Sequence, residues 1–119
     1  LIPPMAASMA LIAGAPALPL AQPRNVVGGQ FISATVGVVV GLFSHSLLAA
    51  AIAGGVALGA MLLARTSHSP AAATAVIGAS ITDGHIEFIL CVVAASLVLV
   101  LAGIARSGFK RTPYPAYWW

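Results

Sequence analysis

Apolar residues run along this chain in blocks rather than stripes. Three blocks, residues 26–43, 47–64 and 86–105, are almost free of charge. Each approaches the ~20 residues a helix needs to cross a hydrocarbon core of ~30 Å, so each predicts a membrane-spanning helix. Two blocks, residues 5–15 and 71–82, are shorter, and prolines bound them: Pro3, Pro4 and Pro16 around the first, Pro70 before the second. Proline suits the first turn of a helix, where its missing N–H has no carbonyl to bond. Both short blocks therefore read as half-helices, about 17 to 18 Å long at 1.5 Å per residue. They open on matching motifs, Pro4-Met5-Ala6-Ala7-Ser8 and Pro70-Ala71-Ala72-Ala73-Thr74. Interrupted segments at corresponding places in two repeats mark the binding site of many transporters.

Charge then orders the blocks. With residues 66–69 extended at about 3.3 Å each, the second short segment reaches about 31 Å and can cross. Crossing brings Arg24, Arg65, Arg106, Lys110 and Arg111, all five basic residues, to one face, as the positive-inside rule expects. Leu1, the Ser44-His45-Ser46 turn, Asp83, His85 and Glu87 then lie on the other. A helix upstream of Leu1 completes one unit of helix, half-helix and helix, and residues 47–105 form the second with opposite orientation. The predicted fold is an all-α, polytopic transmembrane helix bundle with two short half-helices in an inverted repeat. Residues 1–106 form the membrane domain and residues 107–119 a basic and aromatic tail. Two stripes of small residues, Gly29-Ser33-Gly37-Gly41 and Ala51-Gly55-Gly59, predict close helix contacts within the chain or between subunits.

Composition agrees with a membrane setting: 61% of the 119 residues are hydrophobic, 6% are charged, and the mean hydropathy is +1.07, outside the range of a soluble domain. The basic residues are too few and too scattered for nucleic acid. Cys91, the one cysteine, reads as a small packing residue in its helix. Enzyme chemistry finds no support, because both acids sit outside and no nucleophile stands beside a base. His45, Asp83, His85 and Glu87 have no spacing that forces a metal site; they read as loop residues, with Asp83 capping the last helix. No cofactor is expected.

The stretch PLAQPRNVVGG at residues 19–29 and LARTSHSPAAATA at residues 63–75 resemble the HPP family of integral membrane proteins, over about residues 1–106. The family's His-Pro-Pro signature falls on His68-Ser69-Pro70, with Ser69 in place of the first proline. Gln30 stands where many relatives carry histidine. The resemblance implies a small multi-pass protein of a bacterial inner membrane or plastid envelope, with a helix before the equivalent of Leu1. Members in chloroplasts and cyanobacteria have been assigned nitrite transport.

Candidate chemistry gathers at the half-helices. A helix N-terminus offers unpaired N–H groups and the positive end of a dipole, and so replaces water around a small anion. The expected substrate-binding groups are the backbone and hydroxyls of Ala6, Ala7, Ser8, Ala72, Ala73 and Thr74, with His68 and Pro70 at the mouth of the second half-helix. Alternatively, Ser8 and Thr74 bond carbonyls one turn back, and His68 ties down irregular backbone. Arg24, Asn25 and Arg65 form an anion-attracting vestibule, or Arg24 anchors the inner face while Asn25 caps the helix from Val26. In the tail, Tyr114, Tyr117, Trp118 and Trp119 suit the headgroup zone or a protein interface. Two functions follow: a small-anion transporter or channel, or a structural subunit of a larger membrane complex that has lost transport. Expected partners are the lipid bilayer, a small anion, and a homo-oligomer or larger complex reached through the tail.

Overall fold

The computed structural model describes residues 3–110 and 113–118; the placements expected of Leu1, Arg111 and Trp119 lie outside them. Helices α1 (Pro3–Gly14), α2 (Pro23–Gly41), α3 (Leu47–Leu63), α4 (Ser69–Gly78) and α5 (His85–Lys110) follow one another, with a short 3₁₀ turn at Pro19–Ala21. No strand occurs among the described residues.

Local chemistry sets the helix ends. Prolines occupy the first turns of α1, α2 and α4. Ser46 caps α3, its side chain accepting from the Ala49 N–H at 3.1 Å. At the other end of α3, Arg65 turns left-handed (φ 54°). The Thr66 N–H then reaches the Met61 carbonyl at 2.9 Å and the Arg65 N–H reaches Leu62 at 3.2 Å, which satisfies two carbonyls the helix would leave open. Residues 66–68 are not helical, whereas Ser69, expected in the extended link, opens α4. Several boundaries differ from expectation. Helix α2 starts at Pro23, so Asn25 lies in its first turn instead of capping it. Helix α4 stops at Gly78, and α5 starts at His85, two residues beyond Asp83.

Among the described residues only α5, with 26 residues, is both long and apolar enough to span a membrane by itself. Helix α3 has 17 residues, and α2 carries Arg24, Asn25 and Gln30 in its first half. Three self-sufficient spans were expected, so the bundle depends more on its packing than the apolar blocks suggest.

That packing is inside out relative to a soluble protein. Ala50, Ala53, Ala57, Ala75 and Ala79 form one buried cluster, while Phe43 and Leu63 are 86% and 90% exposed. Helix α4 lies parallel to α2 in a fixed register: a Cβ at Gly37 would strike the Ala75 backbone, and one at Gly41 would lie 3.0 Å from the Ala79 carbonyl oxygen. The first small-residue stripe is thus a contact inside the chain. The second is not, since Ala51, Gly55 and Gly59 face outward and nothing lies within 4 Å of a Cβ at Gly55 or Gly59. Helix α3 buries Ala49, Ala50, Ala53, Ala57 and Met61 instead. Cys91 is likewise exposed on α5 and does not pack within the chain.

At one end of the bundle Arg106 donates to the Ala13 carbonyl at 2.8 Å and Arg24 to the Ala64 carbonyl at 3.4 Å, each at the C-terminal end of a helix, where a cation complements the dipole. His45 bonds the Ala79 carbonyl at 3.1 Å, beyond the last turn of α4. Helix α1 therefore ends beside the C-terminal end of α5, while α4 ends beside the α2–α3 turn. The two short helices run in opposite senses.

Candidate functional site

Where the short helices meet, four polar side chains are wholly removed from solvent: Ser8, Gln30, His68 and Thr74. Burial of such groups is costly unless each finds a partner. The His68 Nδ1 lies 2.7 Å from the Leu20 carbonyl oxygen in the 3₁₀ turn. A carbonyl can only accept, so Nδ1 carries a proton. The Nε2 lies 2.7 Å from the Ser8 Oγ, and this hydroxyl is also 2.8 Å from the Pro4 carbonyl oxygen. From α2, Gln30 donates its Nε2 to the Ser8 Oγ at 3.1 Å. Thr74 donates its hydroxyl to the Gln30 Oε1 at 2.6 Å. One chain of hydrogen bonds thus runs from the 3₁₀ turn through α1 and α2 into α4.

Glycine makes room for it. A Cβ at Gly29 would lie 2.8 Å from the His68 Cβ and 2.9 Å from the Thr66 carbonyl oxygen. Just below, Ser33 points its hydroxyl at the Met61 sulfur, 3.6 Å away.

Of the residues singled out in the sequence, Ser8, His68 and Thr74 come together. Ser8 reaches a carbonyl one turn back and the histidine as well, whereas Thr74 turns to Gln30. Pro70 sits half-buried in the first turn of α4, and Ala72 is half-buried with its carbonyl toward Gly54. Ala6, Ala7 and Ala73 face outward. Asn25 donates to the Ser67 carbonyl at 3.1 Å, so with Arg24 it fastens the link that carries His68. Arg65 is exposed. Arg24, Val27, Gly28, Ala64 and Thr66 line a hollow of about 430 Å³ open to the surface, and the buried Thr66 hydroxyl has no hydrogen-bond partner.

Two buried amides were not foreseen in these roles. Gln30 bridges α1 to α4; its signal in the sequence is an amide in the middle of an apolar block. Gln22 is also wholly buried. Its Nε2 donates to the Pro16 and Leu18 carbonyls at 2.8 and 2.9 Å, and its Oε1 accepts from the Ala116 N–H at 2.9 Å. The tail thereby folds back onto the chain. Tyr114 donates to the Ala21 carbonyl at 2.9 Å and packs with Ile12, Ala21, Val26 and Val100.

Comparison with known proteins bears on this arrangement. The family model described as "HPP, transmembrane region" matches residues 1–115. The chain belongs to the HPP family. Like other HPP chains, it is therefore a membrane protein. Two transmembrane proteins of Dictyostelium discoideum are similar to it, at 36% identity over 96% of this chain and 35% over all of it. It spans 40% and 45% of their lengths. No solved structure matches.

Proposed function

We propose that this HPP chain is a multi-pass membrane protein that moves a small, nitrite-like anion, with the path running between the two short helices. The observation that carries the reading is their meeting: α1 and α4 run in opposite senses and join through Ser8, Gln30, His68 and Thr74. Opposed half-helices around a polar centre fit an inverted repeat built for transport. The bundle wears its large apolar residues outside, as lipid requires. Ser8, Gln30 and Thr74 supply hydroxyl and amide donors, and the N-terminal end of α4 adds the positive end of its dipole. With these groups satisfied by one another, the path is closed. Separation of α1 from α4 would release the same donors to an anion. The hollow beside Arg24 and Thr66 is the entry on the basic face, bounded by the first residue of the link that holds His68.

Uptake of nitrite into proteoliposomes holding the folded chain tests the reading. Initial rates above those of protein-free vesicles, saturating with nitrite, are expected. Rates equal to protein-free vesicles would remove it.

The outward stripe Ala51-Gly55-Gly59 favours a second reading, a subunit of a larger assembly, since small residues let helices of different chains approach closely. Gentle detergent extraction and mass measurement separate the two: a homogeneous monomer competent in uptake leaves no place for the second.

A further inference from the structure

The buried chain around His68 has one hydroxyl proton too few for its acceptors. The Ser8 O–H faces both the His68 Nε2, at 2.7 Å, and the Pro4 carbonyl oxygen, at 2.8 Å. With the imidazole neutral and Nδ1–H on Leu20, Nε2 must accept, so Ser8 donates to it. With a second proton on the ring, Nε2–H donates to the Ser8 Oγ, and the Ser8 hydroxyl swings to Pro4. Gln30 donates to the same oxygen in both states. Neither state orphans a donor, and the switch needs only rotation of one hydroxyl. A network that keeps every donor paired in both protonation states can take up and release a proton.

Among the described residues, the charge that the proton brings has no partner of opposite sign. From α1 His68 meets Ser8 and from the 3₁₀ turn the Leu20 carbonyl; Gln30 of α2 joins through Ser8, and Thr74 of α4 through Gln30. Met61 of α3 packs nearby against Gly29. Between Glu87 and Arg106, α5 has Cys91 as its one titratable side chain, on the exposed face. Arg24 and Arg65, at the ends of the neighbouring segments, are cations. The two acid side chains of the chain, Asp83 just before α5 and Glu87 in its first turn, are both exposed. An uncompensated buried charge is strongly disfavoured, so the counter-charge must arrive from outside.

We infer that His68 is a proton-binding site whose counter-ion is the transported anion, so that one proton and one monovalent anion cross together without net charge. The inference rests on the transport reading and adds the coupling ion to it. A proton enters at Nε2 as the anion settles beside Ser8, and both leave on the far side, restoring the Ser8 to His68 hydrogen bond.

The test uses the full chain in proteoliposomes loaded with nitrite on both sides, with potential clamped by potassium and valinomycin and protein-free vesicles measuring the leak of nitrous acid. A pH difference should drive protein-dependent nitrite accumulation toward about tenfold per pH unit, the ratio one proton per anion dictates, with no response to an imposed potential. His68→Gln, which keeps a donor and an acceptor, should lose the response to pH. Nitrite flux in the native chain that follows the potential and ignores the pH difference overturns the inference and leaves transport standing; absence of any flux overturns the transport reading and the inference with it. If His68→Gln fails to fold, ¹⁵N spectra of the native imidazole decide: added nitrite at constant pH must raise the imidazolium fraction, and an unchanged spectrum refutes the coupling.

Discussion

Ser8 is the residue on which most of the buried chain turns, because its oxygen serves His68 and Gln30 at once. Ser8→Ala leaves two buried groups without that partner. The expected cost is about 1–3 kcal/mol for each group left unsatisfied, read as a lower denaturation midpoint in mild detergent. Gln30→Leu removes the bridge from the other side. Combined with Ser8→Ala it should cost less than the sum of the two, by at least about 0.5 kcal/mol, because both act on one network. Strict additivity would mean that the two residues do not share it. Three of the four members were legible in the sequence: Ser8 and Thr74 from the repeated proline and hydroxyl motif, His68 from its place before Pro70. Gln30 was not, because no spacing rule links a mid-helix amide to residues 22 positions before and 44 after it. Ala6, Ala7 and Ala73 share the motif yet face outward, since a motif names neighbours in sequence while a helix sends them to different faces.

Between elements, the same physics explains why one glycine stripe packs and the other does not. Both repeat every four residues, and the sequence offered no way to choose, because α3 has alanines on either side of its stripe. The alanines at 50, 53 and 57 won the inner face. Gly37→Leu should therefore force α2 from α4 and destabilise by about 1–3 kcal/mol or more, whereas Gly55→Leu should stay within about 0.5 kcal/mol for the single chain. Thermal unfolding of both variants in one detergent makes the comparison. The tail offers a pH test. Burial pushes the Tyr114 hydroxyl up to about 12 from its ordinary 10.0, so the neutral form is the one the folded chain prefers. Stability from its docking is complete below pH 10 and is lost as pH rises through about 12. Protease cleavage within residues 113–118 should accelerate over that window, and Tyr114→Phe, which cannot ionise, should flatten the dependence.

For the molecule as a whole, the order of elements and their opposed senses were readable from apolar blocks and charge; the reliance of α2, α3 and α4 on one another was not. Block length measures what a helix would do alone. It says nothing of a bundle whose polar residues are hidden by its neighbours. The gathering of Arg24, Arg65 and Arg106 at one end makes a topological prediction. In vesicles of one orientation, on a Cys91→Ser background, an impermeant thiol reagent should label either Ser44→Cys or Gly108→Cys, never both from the same side. Labelling of both from one side would remove the crossing of the segment from α4 into α5.

The 3₁₀ turn at Pro19–Ala21 holds two masters on adjacent peptides: the Leu20 carbonyl takes the His68 ring and the Ala21 carbonyl takes Tyr114. A shift of this turn as His68 changes state is expected to reach the tail, and any such linkage works in both directions. Whatever state His68 adopts is then written at the surface, where Trp118, four residues past Tyr114, is largely exposed. The far end of the chain becomes a built-in reporter, its indole emission an optical gauge of an event that solvent never touches.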